Sequence, residues 1–195
     1  PHVFISGSAI GFYGENKERE FSETDAVGSG FSAELCRDWE ASVSDIKSEG
    51  TRCALLRTGV VLDRTLGAYP QMTQSFRFGL ASWMGQGDHW LSWIHVADMV
   101  GAIMHCIQNE AVSGPVNMTA PNPVTHRPFS DEVRNATTTL VGMGVPGWVM
   151  RLMVGEMADE LLLTGQQVTP TKLLSTGYEF RFGDLKDAIA DLEAR

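Results

Sequence analysis

The chain alternates between two patterns of apolar residues. Continuous apolar runs at residues 3–6 and 53–62 predict strands that are buried on both faces, as in a parallel sheet. Between these runs lies a stripe of large apolar residues at helical spacing: Phe31, Leu35, Trp39, Val43 and Ile46. This spacing predicts an amphipathic helix over residues 31–47. A strand, a helix of this length and a second strand predict a right-handed parallel crossover, and therefore an α/β protein.

The remaining segments predict further elements around the same sheet. Residues 15–25 are rich in charge and predict an exposed loop. Residues 63–92 predict a long irregular loop, broken by a helix near residues 69–79, and long loops of this kind often carry function. Short strands are predicted at residues 93–96 and 116–118, and helices at 96–107, 129–140 and 146–163.

The last third of the chain is predicted to be mostly helical. Thr169 and Pro170 have the residue types of an N-cap and a first helical position. Gly177 is placed to end that helix, and Asp184 to cap the last one.

Composition and charge exclude several classes of protein. The 195 residues include 24 acidic and 15 basic side chains, a formal net charge of −9, and the basic residues are scattered singly, which argues against nucleic-acid binding. Cys36, Cys53 and Cys106 form no CxxC pair and have no histidine at metal spacing, so we expect neither a disulfide framework nor a metal site. No apolar run reaches the ~18 residues of a membrane span, and no secretory signal is visible. We therefore expect a cytoplasmic protein.

Four separated stretches carry a family resemblance: VFISGSA at 3–9, LRTGVVL at 56–62, WIHVADMV at 93–100 and GPVNMTAPNPV at 114–124. In this order and spacing they resemble the extended short-chain dehydrogenase/reductase family, also described as NAD-dependent epimerases and dehydratases. The further motifs GFYG, CRDWE and GYEFRF are similar to those of the YfcH-like and SDR39U-like epimerase family proteins. The C-terminal segment of those proteins is a domain of unknown function.

The resemblance implies a fold, a cofactor and a reaction. The fold is α/β, with the C-terminal part of a Rossmann-like parallel sheet at residues 1–112, a substrate loop inserted at about 63–92, and a smaller, mostly helical domain at 113–195. The cofactor is NADP or NAD. The activity is that of a nucleoside-diphosphate-sugar epimerase- or dehydratase-like oxidoreductase with a small-molecule substrate. The sequence identifies neither the substrate nor the oligomeric state.

The Gly-rich turn by which this family holds the cofactor pyrophosphate is not found in the sequence. No GxxGxxG occurs in the 195 residues. We therefore expect this chain to be a fragment that lacks roughly one hundred preceding residues, the other half of a doubly wound fold. Cofactor binding is expected to need that segment.

The catalytic residues implied by the resemblance are only partly present. Ser8 falls on the position of the family's catalytic Ser or Thr, although a small polar residue also fits a tight strand end. The family's Tyr-x-x-x-Lys acid/base pair is replaced, on the helix that should carry it, by Phe31 and Leu35 or by Ser32 and Cys36. A literal match runs from Tyr13 to Lys17, but in a turn. Tyr13 remains a candidate as the phenol nearest to Ser8.

Six further residues are candidates for binding. The resemblance places Arg57, Thr58, Gly59 and Val60 beside the nicotinamide, where Gly59 would permit close approach of a ring. The alternative for Gly59 is a strand end that needs glycine for its turn. Arg77 and His95 are candidates on the substrate side. The alternative for Arg77 is a solvated surface arginine, and the alternative for His95 is a histidine at a strand end, before a helix in whose first turn Asp98 lies. Leu91 stands where nucleotide-sugar members of the family carry a diphosphate-binding Arg.

Two functions of different classes stay open. The first is catalysis by NAD(P)-dependent hydride transfer, with Ser8 polarising the substrate oxygen. The second is a non-catalytic protein that binds the cofactor or regulates a partner, as the missing Tyr and Lys suggest. A third reading is that the 195-residue chain is itself the functional unit and binds no dinucleotide.

Overall fold

The computed structural model describes residues 1–43, 50–137, 139, 141–145 and 165–194. The strands in this part of the chain are β1 (Val3–Ala9), β2 (Asn16–Phe21), β3 (Arg52–Thr58), β4 (Val60–Leu62), β5 (Leu80–Met84), β6 (Trp90–Leu91), β7 (Trp93–His95), β8 (Gly114–Met118), β9 (Val124–Thr125), β10 (Val141–Val145) and β11 (Gln166–Val168). Its α-helices are α1 (Phe31–Ala41), α2 (Ala68–Met72), α3 (Val96–Gln108), α4 (His126–Thr137), α5 (Thr171–Ser175) and α6 (Leu185–Glu193). Two 3₁₀ helices span Ile10–Tyr13 and Gln74–Phe78.

A three-stranded parallel sheet lies at the centre, in the order β1-β3-β8. In β3 the five residues from Cys53 to Arg57 are all buried, as the continuous apolar run predicts for a strand covered on both faces. The β1-α1-β3 crossover is parallel, so the predicted α/β architecture is confirmed. The third strand, β8, begins at Gly114, beyond the predicted domain boundary at residue 112; that division of the chain stays a prediction.

Four two-stranded pairings surround this sheet. β4 pairs with β7, β5 with β10 and β2 with β11, all in parallel, whereas β6 and β9 are antiparallel. The prediction of a loop over residues 15–25 is wrong for Asn16–Phe21, which form β2. The first five side chains of β2 are exposed, because this strand is held by backbone bonds to β11 and presents its charges to solvent. Apolar periodicity therefore could not reveal it.

The predicted helix over residues 31–47 is described as α1, which ends at Ala41; residues 44–49 lie outside the described residues. Three members of its apolar stripe face solvent: Phe31, Leu35 and Trp39 are 67%, 50% and 55% exposed. The buried positions of α1 are the small residues Ala33 and Cys36. They face inward because α1 lies so close to the turn after β1 that a Cβ on Gly11 would be 3.2 Å from the Ser32 Cβ.

Two apolar clusters form most of the core. One joins β7 to α4 and α6 through Trp93, Phe129 and Ile189. The other lies between β3, β8 and α3 and includes Leu56, Val116 and Cys106. The predicted helix after strand β7 is confirmed as α3, which begins at Val96. Cys36, Cys53 and Cys106 are all buried free thiols.

The C-terminal elements differ in detail from the prediction. The helix predicted at residues 129–140 begins three residues earlier, at His126, directly after β9, and the helix predicted at 146–163 lies outside the described residues. Pro170, not Thr169, is the N-cap of α5, and the Thr169 hydroxyl instead donates to the Phe21 carbonyl beside β2. The turn after α5 reaches a positive φ of 83° at Gly177, as predicted.

The last helix begins as predicted. Asp184 is the N-cap of α6, but its side chain accepts a hydrogen bond from the Asn122 amide at 2.8 Å and caps no backbone N–H of the helix. Asp184 therefore ties α6 to the turn after β8.

Within the described ranges, no helix is long and apolar enough to cross a membrane. The same ranges contain no cluster of three or more His, Cys, Asp or Glu side chains that could hold a metal ion.

Candidate functional site

A cavity of about 310 Å³ lies at the carboxyl ends of β1 and β3. This is the edge of a parallel sheet at which α/β proteins bind their ligands. The polar side chains of the lining are Ser32, Thr58, Ser92, His126 and Gln166. Among the described lining residues there is no Asp, Glu, Lys or Arg. The cavity therefore favours an uncharged group.

One wall of the cavity is formed by a single turn of α1. Ser32, Leu35 and Cys36 face it, and Ser32 and Cys36 are one of the two pairs that the sequence offers in place of Tyr-x-x-x-Lys. Their four-residue spacing puts both on the same helix face. The Ser32 hydroxyl has no hydrogen-bond partner among the described residues. It is available to a bound molecule.

The opposite wall contains Thr58, Gly59 and Val60. A Cβ on Gly59 would be 2.3 Å from the Ser92 carbonyl oxygen and 2.9 Å from the Thr119 Cγ2. The Gly59 N–H donates to the Met118 carbonyl, and the Val60 N–H to the Ser92 carbonyl. Gly59 is thus the point where the chain passes from the central sheet to β4, and the approach of another backbone segment already requires glycine there.

Ser8, Tyr13 and Arg57 belong to one polar network next to the cavity. The Ser8 hydroxyl donates to Glu40 Oε1 at 2.8 Å. Arg57, which is 3% exposed, donates to both carboxylate oxygens of Glu40 at 2.8 and 2.9 Å and to the Tyr13 hydroxyl at 3.0 Å. Tyr13 in turn donates to Asn117 Oδ1 at 2.7 Å. The network joins β1, α1, β3 and β8.

Burial and hydrogen bonds determine the protonation states of Tyr13 and Arg57 in this network. Burial raises the pKa of the Tyr13 phenol, although the hydrogen bond from Arg57 opposes this effect, so Tyr13 stays protonated at neutral pH. Burial alone would lower the pKa of Arg57, but the hydrogen bonds with Glu40 and Tyr13 raise it above its usual value. The guanidinium also lies 3.4 Å from the centre of the Phe12 ring. Arg57 is thereby held away from the described cavity lining.

Sequence analysis did not single out Glu40 or Asn117. Both lie inside motifs that carry the resemblance, Glu40 at the end of CRDWE and Asn117 in GPVNMTAPNPV. Glu40 follows Cys36 by four residues, so the two share one face of α1. This spacing was the available clue to Glu40. The position of Asn117 depends on the β3-β8 pairing, which the sequence does not encode locally.

His126 is a further cavity residue that sequence analysis missed. It is the first residue of α4 and is 7% exposed. Its ring centre lies 4.1 Å from that of His89, which is also buried. Burial, reinforced by the neighbouring His89, lowers the pKa of His126 from 6.5 to about 3. Burial also lowers the pKa of His89. Both imidazoles are therefore neutral at neutral pH.

The buried histidines predict a loss of stability in acid. The unfolded chain takes up a proton at residue 126 as the pH falls below 6.5, but the folded protein does so only near pH 3. The free energy of unfolding should therefore fall with pH over this window, by about 1.4 kcal/mol per pH unit from this residue. Urea denaturation of the protein and of His126→Phe between pH 6.5 and 4.5 measures this. The variant should show the shallower dependence, His2→Phe should match the parent, and equal slopes for all three would refute the assignment.

Arg77 lies at a second cavity, of about 340 Å³, between the 63–92 segment and the end of α6. Arg64, Tyr69 and Glu193 line it as well, and the Tyr69 hydroxyl donates to Glu193 at 2.5 Å. Burial, reinforced by this carboxylate, raises the pKa of Tyr69. Because the Glu193 carboxylate lines the cavity together with the two arginines, the positive charge available to bind an anion there is reduced.

His95 lies at the start of α3, where its Nδ1 accepts a hydrogen bond from the Ala97 N–H at 3.1 Å. Its Nε2 is 3.4 Å from an Asp191 carboxylate oxygen, and burial lowers its pKa. The carboxylate of Asp98 accepts the backbone N–H groups of Arg181 and Phe182, both at 2.8 Å. Asp98 thus holds part of the C-terminal segment by hydrogen bonds, whereas the buried Nε2 of His95 makes none among the described residues.

Several known proteins are similar to this chain. The family described as a domain of unknown function, DUF1731, matches residues 145–192. An epimerase family protein of Mycobacterium leprae is 37% identical over 188 residues, 96% of this chain and 61% of that protein. An Arabidopsis thaliana protein, named a chloroplastic homolog of the epimerase family protein SDR39U1, is 34% identical over 189 residues, 97% of this chain and 54% of that protein.

The fold agrees with these relatives. The crystal structure of the human epimerase family protein SDR39U1 with NADPH has a TM-score of 0.92 and 29% identity to this chain, and the match covers 99% of this chain and 65% of that one. The chain belongs to the extended short-chain dehydrogenase/reductase family. This epimerase family member spans between 54% and 65% of the length of these three relatives.

The family resemblance implies counterparts for three positions on α1 and at the cavity. The resemblance leaves two pairs on α1 as counterparts of the family's Tyr and Lys, Phe31 with Leu35 or Ser32 with Cys36. The described cavity lining includes both members of the second pair but only Leu35 of the first. Leu91, for which the resemblance implies the position of the diphosphate-binding Arg, is buried and lines the same cavity. With either pair on α1, the resemblance thus implies neutral side chains at three positions where the family's pattern has ionisable ones.

Proposed function

We propose that this protein is an NAD(P)-dependent oxidoreductase of the epimerase type, and that the 310 Å³ cavity receives the nicotinamide end of the cofactor and the reacting part of a small substrate. The observation that carries the proposal is the cavity's place at the carboxyl ends of β1 and β3, between α1 and residues 58–60. The human relative, whose structure is described as containing NADPH, supports NADP(H) as the cofactor.

The residues present fit one end of such a cofactor. Thr58, Gly59 and Val60 form a wall without charge, suited to contact the face of a flat ring. No cation lines the described part of this cavity, so the phosphates would be held elsewhere. The bound cofactor would supply or accept a hydride at the substrate carbon.

The chain's own residues would bind and orient the substrate. Ser32 faces the cavity with a free hydroxyl among the described residues and can donate to a substrate oxygen. Ser8, Tyr13 and Arg57 act in this proposal as positioning residues, since their hydrogen bonds hold β1, α1 and β3 together at the cavity. Arg77, at the second cavity, and His95, at the start of α3, stay separate candidates on the substrate side.

A non-catalytic cofactor-binding role is the second candidate. It is favoured by Ser32 and Cys36, because neither can transfer a proton in the way that a Tyr activated by a Lys does. A cytoplasmic location is proposed with either function, although the Arabidopsis relative is named a chloroplastic protein.

Titration with NADPH tests the proposal. Trp90 lines the cavity, so bound NADPH should quench tryptophan emission, and Trp90→Phe should reduce that quenching. Trp39→Phe, on the exposed face of α1, is the matched control and should reduce it less. Turnover is then assayed as NADPH oxidation with a panel of aldehydes and ketones. Oxidation supports catalysis, and binding without oxidation supports the second candidate. Absence of binding by these 195 residues supports the third reading, in which they bind no dinucleotide, as the lack of a Gly-rich turn predicts.

A further inference from the structure

His126 is a cavity residue whose imidazole makes no hydrogen bond within the described part of the chain. The side chain is more than nine-tenths buried and forms part of the cavity wall. Within the described part of the chain its ring nitrogens make no hydrogen bond, whereas His95 accepts one from a backbone N–H. Buried polar groups in folded proteins are nearly always hydrogen-bonded. A polar group that lacks a protein partner and faces a cavity is therefore placed to bond a ligand.

The imidazole is presented in its uncharged form. The adjacent His89 ring is at 4.1 Å, its Nε2 is also buried without a hydrogen-bond partner, and two such close rings disfavour a positive charge on either. A neutral imidazole has one N–H donor and one acceptor nitrogen. It can pair with a hydroxyl or donate to a carbonyl, but it supplies no charge to neutralise an anion.

The other residues of the cavity wall also favour an uncharged ligand. Leu35, Val60 and Leu91 are apolar. Apart from His126, the polar side chains of the lining are three hydroxyls and one amide: Ser32, Thr58, Ser92 and Gln166. A carboxylate or phosphate that entered this space would lose its hydration without gaining a counter-charge. An uncharged molecule with one or two oxygens would bury its carbon skeleton and keep its hydrogen bonds.

We propose that His126 is a ligand-binding residue, which hydrogen-bonds the hydroxyl or carbonyl oxygen of an uncharged alcohol or ketone in the 310 Å³ cavity. This deepens the proposed function by naming the substrate class of the same site. In an oxidoreductase, the alcohol and the ketone would be the two redox states of one substrate, and His126 would hold the oxygen that both share.

The test uses small probes without cofactor. Cyclohexanol and cyclohexanone are titrated into protein labelled with ¹⁵N in its histidine rings, with cyclohexanecarboxylate as the charged analogue of similar size. The His126 ring resonances, assigned by their absence from His126→Phe, should shift and saturate with both uncharged probes. The carboxylate should bind at least about tenfold more weakly, as expected for an anion without a counter-charge.

Variants separate the hydrogen bond from the shape of the cavity. His126→Phe keeps an aromatic ring but removes both polar nitrogens, and should weaken cyclohexanol binding by about three- to tenfold, the effect of one neutral hydrogen bond. His126→Gln restores a donor and an acceptor and should recover part of the affinity. His2→Phe, at an exposed position, should bind as the parent does. Thermal unfolding of each variant checks that it is folded at the titration temperature.

Three results would overturn the inference: equal affinity of the parent and His126→Phe for cyclohexanol, equal affinity of the parent for the alcohol and the carboxylate, or no saturable shift with either uncharged probe. Failure of the proposed function looks different. In that case NADPH does not bind, but the alcohol and the ketone still shift the His126 resonances.

Discussion

Replacement of Arg57 by leucine is expected to lower the free energy of unfolding by about 3–5 kcal/mol. Arg57 is 3% exposed and bonds both oxygens of Glu40, whose side chain is 9% exposed. The leucine variant leaves that carboxylate buried beside Ser8 with no opposite charge. The phenol of Tyr13 loses a donor as well. Urea denaturation at pH 7 measures the change.

The matched control is the ion pair of Lys17 with Asp88. Its nitrogen and oxygen atoms are 3.0 Å apart, but the pair lies in solvent, with side chains 53% and 56% exposed. Lys17→Met should cost less than about 1 kcal/mol. Comparable losses in Arg57→Leu and Lys17→Met would show that burial of the Arg57–Glu40 pair does not decide its contribution. Arg57→Lys should recover only part of the loss, since a lysine cannot make the two-oxygen contact.

Gly59→Ala should destabilise the protein by about 3 kcal/mol, at the upper end of the usual cost of overpacking. The added Cβ would lie 2.3 Å from the Ser92 carbonyl oxygen, a backbone atom that cannot rotate away. The Ser92 carbonyl would have to move, and with it the hydrogen bond from the Val60 N–H that fixes β4 beside the cavity. Urea denaturation again gives the free energy, and NADPH titration reports the effect on the cavity.

Gly7→Ala is the control for this substitution. Gly7 lies in β1, which pairs with the strand β3 that precedes Gly59, and a Cβ on Gly7 would have no heavy atom within 4 Å. Its alanine variant should change the free energy of unfolding by less than about 1 kcal/mol. If Gly59→Ala unfolds at the same urea concentration as Gly7→Ala, the close approach of Ser92 is not what requires glycine at position 59.

The parts of the fold that were predictable from the sequence are those with an apolar pattern. The runs at residues 3–6 and 53–62 predict the parallel crossover, and β3 is buried along most of its length, as its apolar run requires. The prediction of a strand buried on both faces is wrong for β1, which lies at the edge of the described sheet and has only Ser6 buried. β2 could not be predicted in this way, since its first five side chains are exposed and its pairing with β11 is made by the backbone. The stripe on α1 predicts the helix, but the face that is buried is chosen by the small residues that let α1 approach Gly11.

The candidate site was predictable to a smaller extent. The resemblance brings Ser8, Tyr13 and Arg57 into consideration separately, but only the packing joins them through Glu40 and Asn117. The spacing of Ser32 and Cys36 on α1 places both at the cavity. His126 follows a two-residue strand in a segment without apolar period, so its burial beside His89 depends on contacts distant in sequence.

The hydrogen bond between Tyr13 and Asn117 joins residues that are 104 positions apart. Closing so long a segment of chain costs entropy before any contact is gained, so β8 is expected to join β1 and β3 late in folding. Interactions made after the rate-limiting step slow unfolding and leave the folding rate unchanged. The hydrogen bond between Tyr13 and Asn117 would then set how long the native cavity persists before it opens, rather than how quickly it is formed.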